Sequence, residues 1–154
     1  MPRRKQTAPV TKQSPRVDIE SMARFFAQQP DVVVAYLFGS VARGRGDHFS
    51  DVDVAVLFDE KVDAFRRGEL RLEYGLALAP LADRDVDVVA LNTATPVLKM
   101  QVLREGRLLY ARTPQERIQF EVRAAKIYYD TQPLRTFQRT VLFAETEGGL
   151  GGHR

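Results

Sequence analysis

Two aspartates separated by one residue, Asp51 and Asp53, carry the strongest chemical signal in the sequence. They begin a segment, 51–58, in which polar and small residues alternate with apolar ones, the pattern of a β-strand with one face committed to the core. Side chains two residues apart on a strand project from the same face, so the two carboxylates lie together. Like charges this close repel each other unless a cation lies between them. Oxygen ligands beside a phosphate suit Mg²⁺, so the pair is a candidate site for one or two such ions.

A Gly-Ser pair, Gly39 and Ser40, ends an apolar segment, and ten residues separate it from Asp51. Glycine lets a backbone approach a phosphate closely, and backbone N–H groups together with a hydroxyl can hold phosphate oxygens. On its own such a pair usually marks an ordinary turn. The spacing to the aspartates favours a catalytic interpretation, in which this loop holds a triphosphate beside the metal-binding carboxylates.

A third carboxylate is expected from a neighbouring strand, and Asp87 is the candidate. Across the sheet from Asp53, it could act as the general base for an attacking hydroxyl or help to bind the metal. Asp85 shares the same strand face under strict alternation and is therefore the alternative. The apolar strand continues directly from Asp87, which favours Asp87 as the functional acid and Asp85 as the residue that enters the strand.

Further polar residues lie between the Gly-Ser pair and the aspartates. Arg43 could bind a phosphate as a bidentate donor or form a surface ion pair with Asp47, and both alternatives stay open. Ser50 could hydrogen-bond the metal-binding carboxylates and fix their orientation. His48 has no second His or Cys close to it in the sequence, so we expect it to be exposed rather than metal-bound.

Alternating helices and strands must position these residues. Asp18 is expected to cap a first helix that ends at Gln29 and Pro30. Short apolar or alternating segments predict strands over 32–38, 51–58, 86–91 and 107–110. Further helices are expected over 62–78 with Pro80 just past the end, over 96–104, from 114 to Pro133, and over 134–144. This alternation predicts an α/β or α+β class with a mixed sheet.

One domain with two terminal segments is the expected organisation of the 154 residues. Residues 1–16 are rich in Pro, Arg, Lys, Thr and Gln without periodicity, which predicts a flexible basic tail. Residues 17–147 form the domain, including C-terminal helices from about 114. Residues 148–154 are Gly-rich, and we expect them to be disordered.

Composition excludes several kinds of chemistry. The chain has no cysteine, so disulfides, Cys-based zinc sites and thiol nucleophiles are excluded. The longest apolar run, 32–38, is far shorter than the roughly 18 residues of a membrane-spanning helix, and no apolar stretch follows the basic N-terminus as in a secretory signal. The net charge of +3 is compatible with an ordinary solvated surface. We therefore expect a cytoplasmic protein with no membrane association.

The motif Gly39-Ser40, ten residues, Asp51-Val52-Asp53 resembles the signature of the DNA polymerase β nucleotidyltransferase superfamily. The strings GSVARG at 39–44 and SDVD at 50–53 resemble its minimal nucleotidyltransferase (MNT) branch. The string VDVVAL at 86–91 resembles the third-carboxylate strand of that branch, and LREGRLLY at 103–110 resembles its closing helix-to-strand turn. The resemblance covers about residues 18–130. It implies a nucleotidyltransferase fold, with a mixed sheet of about four to five strands flanked by helices and a helical C-terminal tail.

The resemblance also implies roles for the residues. Asp51 and Asp53 would hold Mg²⁺, Gly39 and Ser40 would bind the triphosphate of ATP, and Asp87 would be the third acid and the base.

Many MNT proteins resemble antitoxins encoded beside a HEPN-domain RNase toxin, which they silence by adding AMP to a toxin tyrosine. The helical tail of this chain, with Tyr128-Tyr129-Asp130, is similar to theirs. The resemblance thus implies transfer of AMP from ATP to a hydroxyl of a cognate HEPN toxin. The oligomeric state, alone or with the toxin, is left open.

Two other functions compete with this one. The first is transfer to a small-molecule hydroxyl such as that of an aminoglycoside, which needs a pocket that so short a chain barely supplies. The second is a non-catalytic antitoxin that neutralises its partner by occlusion. The intact acids Asp51, Asp53 and Asp87 argue against the second alternative.

Overall fold

The computed structural model describes residues 17–42, 44 and 51–148. Helices and strands alternate along this part of the chain. In chain order they are α1 (Ile19–Ala27), β1 (Val32–Phe38), α2 (Gly39–Ala42), β2 (Val52–Phe58), α3 (Ala64–Ala82), β3 (Val86–Ala90), α4 (Pro96–Glu105), β4 (Arg107–Ala111), α5 (Pro114–Asp130) and α6 (Gln132–Gly148). A single 3₁₀ turn, Leu91–Thr93, follows β3.

The four strands form one sheet in the order β3-β2-β1-β4. Strand β1 is antiparallel to both β2 and β4, whereas β2 and β3 are parallel. A parallel pair requires a crossover connection, and α3 supplies it. The predicted fold class, a mixed sheet flanked by helices with a helical C-terminal tail, is confirmed.

Helices cover the sheet on both faces. On one face α1 and α3 pack through Phe26, Tyr74 and Leu78 against β2. On the other face α4 and α5 pack against β1 through residues such as Val102 and Phe120. Every residue of β1 is buried, as expected for a central strand covered on both sides. The expectation that β2 commits only one face to the core is therefore incomplete, since Ala55 on the other face is fully buried as well.

The predicted starts of α1, α4 and α5 are confirmed by their caps, whereas α3 begins two residues later and α6 two residues earlier than predicted. The side chain of Asp18 accepts a hydrogen bond from the Ser21 N–H at 3.0 Å. Thr95 and Thr113 accept equivalent bonds at the starts of α4 and α5, each at 3.2 Å. Each cap satisfies an N–H group that the first helical turn leaves without a partner.

The predicted end of α3 is wrong. The helix begins at Ala64 and continues through Pro80 to Ala82, although proline removes one backbone donor from the helix. The last turn is held in place because Leu78 and Ala82 are fully buried. Asp83 then ends the helix in the left-handed conformation, with φ of 54°.

The C-terminal helices are attached through α5. The Tyr36 hydroxyl of β1 donates a hydrogen bond to Glu121 at 2.9 Å, and Arg117 pairs with the same carboxylate. Helix α5 ends at Asp130, and Thr131 separates it from α6. Pro133 is the second residue of α6, close to the predicted interruption. Among the described helices, none is both long and apolar enough to cross a membrane.

Candidate active site

Asp53 occupies the second position of β2 and lies between two neighbouring strands. It pairs in register with Phe38 of β1 on one side and with Asp87 of β3 on the other. Paired residues on adjacent strands project their side chains from the same face of the sheet. The structure therefore places the Asp53 and Asp87 carboxylates side by side, as the sequence predicts.

Asp51 completes the set of three acids at this edge. It is exposed and directly precedes β2. The pKa of Asp53 is raised by burial first, and then by the negative charges of Asp87 and Asp51. Both neighbouring carboxylates thus lie close enough to repel Asp53, which is half-buried. The site concentrates negative charge that a bound cation would neutralise.

Asp85, the alternative third acid, lies outside this group. It precedes β3, and its backbone carbonyl accepts a hydrogen bond from the Val52 N–H at 3.0 Å. Its charge is not among those that raise the pKa of Asp53. The strand register thus brings Asp87, rather than Asp85, opposite Asp53.

Gly39 follows β1 and contacts the acid site directly. Its φ of 78° lies in the left-handed region, which glycine adopts without steric cost. A Cβ atom built on Gly39 would overlap Oδ2 of Asp53 and lie 3.1 Å from its Cγ. The Asp53 carboxylate is thus a close neighbour of Gly39, and the binding of a phosphate by Gly39 stays a prediction. Ser40 comes next, half-buried in the short helix α2.

Two predicted nucleotide-binding residues, Arg43 and Ser50, lie outside the described residues, as do Asp47 and His48. Their roles therefore stay predictions.

The donor set fits Mg²⁺. Carboxylate oxygens are the hard ligands that this ion prefers, and proteins usually hold it through one or two carboxylates together with substrate phosphates and waters. Within the ranges 17–42 and 51–148, no three acidic or histidine side chains approach closely enough to form a metal site by themselves.

An apolar groove that the sequence does not predict runs between α3 and β3, along residues 85–88. Leu72 and Leu76 stand on its α3 side, 74% and 79% exposed. Their spacing of four residues on a charged helix was the signal available in the sequence.

This constellation of acids on a mixed sheet defines a class of enzyme, the nucleotidyltransferases. Residues 20–115 match the family described as Polymerase beta, Nucleotidyltransferase. The chain belongs to this family and is a nucleotidyltransferase, as the resemblance implies. Enzymes of this class transfer a nucleoside monophosphate from a nucleoside triphosphate.

Individual relatives show which nucleotidyltransferases this chain resembles. Protein adenylyltransferase MntA of Shewanella oneidensis (strain MR-1) is 37% identical over 106 residues, which cover 69% of this chain and 73% of MntA. A solved toxin–antitoxin structure with AMP-PNP has a TM-score of 0.65 and 32% identity, and the match covers 82% of this chain and 96% of that one. A structure of the tri-AMPylated Shewanella oneidensis HEPN toxin in complex with MNT antitoxin has a TM-score of 0.61 and 28% identity, over 81% and 98% of the two chains. The MNT resemblance is thereby confirmed.

Proposed function

We propose that this chain is a protein adenylyltransferase that acts as an antitoxin, transferring AMP from ATP to a tyrosine hydroxyl of a cognate HEPN RNase toxin in the cytoplasm. One observation carries the proposal: Asp53 and Asp87 are in register on parallel strands, with Gly39 against the Asp53 carboxylate. The identity of 37% to protein adenylyltransferase MntA supports AMP as the transferred group and a protein as the acceptor. The similarity to a complex that contains an AMPylated HEPN toxin supports the choice of partner.

The roles of the residues follow from their positions. Asp51 and Asp53, with Asp87 beside them, would hold one or two Mg²⁺ ions, and a bound ion would supply positive charge to the group being transferred. Gly39 and Ser40 hold the triphosphate beside Asp53, and Arg43 and Ser50 are assigned to the same nucleotide site.

Asp87 is the general base in this scheme. It lies beside Asp53 and is exposed, so an acceptor hydroxyl can reach it. The hydroxyl oxygen bonds to the α-phosphorus of ATP, its proton passes to Asp87, and pyrophosphate leaves.

A transfer assay tests the proposal. The protein is incubated with Mg²⁺, labelled ATP and the HEPN toxin encoded beside it, and the intact mass of the toxin is measured. We expect a gain of one or more AMP units, which Asp51→Asn abolishes. Asp83→Asn is the matched control, because it removes the same charge from an exposed position whose φ of 54° asparagine tolerates. Full transfer by the Asp51→Asn protein would contradict the proposal.

A second pair of variants tests the base. Asp87→Asn should reduce the transfer rate by at least about 10²-fold, since general-base catalysis contributes about 10²–10⁴-fold. Asp85→Asn should leave the rate within a few-fold of the wild type. If the two variants exchange these effects, the assignment of the third acid is wrong.

The competing functions have distinct signatures in the same experiments. If the Asp51→Asn protein still suppresses the RNase activity of an unmodified toxin, occlusion is the better account.

A small acceptor such as an aminoglycoside would require a pocket beside the acids. A cavity of about 530 Å³ is lined by residues that include Leu57 and Asp59. Leu57 is four residues beyond Asp53 along β2, which is about 13 Å. That cavity is therefore too remote to deliver a hydroxyl to Asp87, and we expect no transfer to aminoglycosides.

A further inference from the structure

Helix α6 leaves the domain at the end of α5 and is not covered by it. Every residue from 132 to 144 is exposed except Arg135, which is half-buried. A helix in a folded protein gains most of its stability from packing an apolar face against a neighbour. Within residues 17–42 and 51–148 no neighbour buries α6 in this way, so its surface is available to a partner.

Three exposed apolar residues form one stripe along α6. Leu134 is 58%, Phe137 is 66% and Val141 is 39% exposed. Their spacing of three and then four residues places them on one face of the helix. A narrow stripe of this kind is the pattern with which one helix packs against another. We refer to these three residues as the α6 stripe, and their spacing indicates a helical partner surface.

The direction of α6 is fixed in its first turn by Arg135. The guanidinium lies over the Tyr128 ring, 4.0 Å from its centre. It also donates hydrogen bonds to the Tyr128 carbonyl at 2.8 Å and to the Thr131 hydroxyl at 2.7 Å. Arg104 of α4 lies over the same ring, 5.3 Å from its centre. Helices α4, α5 and α6 thus meet at Tyr128, so the α6 stripe is presented in a defined direction.

This junction lies at the end of the sheet that carries the acids. The last turn of α4, which contacts Tyr128, ends at Gly106. A Cβ on Gly106 would lie 3.3 Å from the carbonyl oxygen of Leu37. Leu37 pairs with Val54, the residue that directly follows Asp53 on β2. The start of α6 is therefore at the same end of the sheet as Asp53.

Helices α4 and α5 also lie on the face of the sheet from which the acids project. They cover a cluster that includes Ala55. Ala55 is two residues from Asp53 on β2 and therefore shares its face. Helix α6 thus leaves the domain beside the acid site, on the same face and at the same end of the sheet. A protein that packs on the α6 stripe lies next to Asp53 and Asp87.

We propose that the α6 stripe is the docking surface for the acceptor protein, which packs an amphipathic helix on Leu134, Phe137 and Val141 and thereby brings its reactive hydroxyl to the acid site. This inference rests on the proposed function, which requires a protein as the acceptor. Residues 132–144 contain two arginines and no acid. Charge complementarity therefore favours a neutral or acidic partner helix over a basic one.

The small size of the α6 stripe argues against a second copy of this chain as its occupant. A stable interface buries about 800 Å² on each partner, whereas a buried aromatic side chain contributes about 150–250 Å². One phenylalanine, one leucine and one valine are too few to hold two copies together. An acceptor protein also covers the acid site while it reacts, so the two adjoining contacts form a larger interface.

Two variants of the stripe and one control test the proposal. Leu134→Asp and Phe137→Asp each place a charge in the stripe. Neither side chain is buried, so both variants should keep the melting temperature of the wild type. Leu72→Asp on α3 is the matched control, since Leu72 is 74% exposed, lies inside a helix and is on the helix that covers the opposite face of the sheet.

Binding and transfer are measured separately. Affinity for the cognate toxin is measured by calorimetry with each substitution in an Asp51→Asn background, and KM, kcat and AMP-PNP affinity are measured without that background. Both stripe variants should weaken toxin binding and raise the KM for the toxin at least tenfold, with kcat and AMP-PNP affinity within about threefold of the wild type. Leu72→Asp should change none of these quantities.

Two outcomes would overturn the docking assignment: unchanged toxin binding by the stripe variants, or an equal loss of binding by Leu72→Asp. If the wild-type protein binds the toxin through the α6 stripe but never modifies it, the proposed function fails while the docking surface stands.

Photo-cross-linking from position 137 identifies the occupant directly. A benzoyl-phenylalanine at this position should cross-link to a helix of the toxin. Cross-links only to a second copy of this chain, or only to its own residues 1–16, would show that the stripe has a different occupant and would overturn the proposal.

Discussion

Replacement of Gly39 by alanine separates the chemistry of the site from the stability of the fold. The residue has φ of 78°, and a Cβ there overlaps Oδ2 of Asp53. An L-residue in the left-handed region costs about 1–2 kcal/mol. To restore an ordinary contact of about 3.4 Å, either the Asp53 carboxylate or the turn must move by about 1 Å.

That displacement acts on the proposed metal ligand. A 1 Å misplacement of a reacting group can cost about 10²-fold in rate, equivalent to about 2.7 kcal/mol of barrier. We therefore expect Gly39→Ala to fold with a stability loss of about 1–2 kcal/mol and to transfer AMP at least about 10²-fold more slowly.

Gly44 provides the matched control. Its φ of 70° is also left-handed, but a Cβ there meets no atom of the described residues within 4 Å. Gly44→Ala should lose about the same 1–2 kcal/mol from backbone strain while its transfer rate stays within about threefold of the wild type. Urea unfolding and initial rates of AMP transfer are measured for both variants. If Gly39→Ala folds and is as active as Gly44→Ala, the close approach to Asp53 has no catalytic importance and this reasoning is refuted.

Three further predictions concern charge, a backbone contact and pH. Asp53→Asn should raise the melting temperature in EDTA, because it removes a charge that repels Asp87. The same variant should lose the stabilisation that Mg²⁺ and ATP give the wild type. A lower melting temperature of Asp53→Asn in EDTA contradicts the expected repulsion. Asn92→Ala should cost about 1–3 kcal/mol in urea unfolding, since the Asn92 side chain bonds both the N–H and the carbonyl of Phe58 at 2.9 Å; an unchanged midpoint would exclude it. Burial raises the pKa of Tyr74 from 10 to about 12, so the folded state holds the phenol proton more tightly than the unfolded state does. The resulting contribution to stability is complete below pH 10 and is lost as the pH rises towards 12. Tyr74→Phe should therefore lose less stability at alkaline pH in unfolding titrations, and an identical slope contradicts the prediction.

The sequence predicts the closeness of Asp51 and Asp53 well, because alternation alone fixes which face each residue of an extended segment occupies. It predicts less completely which acid of β3 lies opposite Asp53. Asp85 and Asp87 satisfy alternation equally, and a register shift of two residues would exchange them without turning any side chain to the other face. The pairing of Val52 with Val86 places Asp87, rather than Asp85, opposite Asp53, and that pairing depends on how α3 returns the chain to the sheet.

The groove could not be predicted for a related reason. Helix α3 has apolar residues on two faces, one through Leu70, Tyr74 and Leu78 and the other through Leu72 and Leu76. Periodicity identifies both faces but does not say which one the sheet covers. The burial of Leu78 and Ala82 also explains why the helix continues through Pro80. Its last turn is held by tertiary packing, which local helix propensity cannot predict.

Helix α3 thus determines which acids lie side by side. As the crossover between β2 and β3 it makes these strands parallel, and this parallel register sets Asp87 beside Asp53. Its close packing at Gly75, where a Cβ would lie 3.0 Å from the Val86 carbonyl oxygen, holds the helix against β3. The helix covers the face of the sheet that carries Val54 and Val88, whereas Asp53 and Asp87 project from the opposite face. The position of the acids therefore depends on packing to which neither carboxylate contributes.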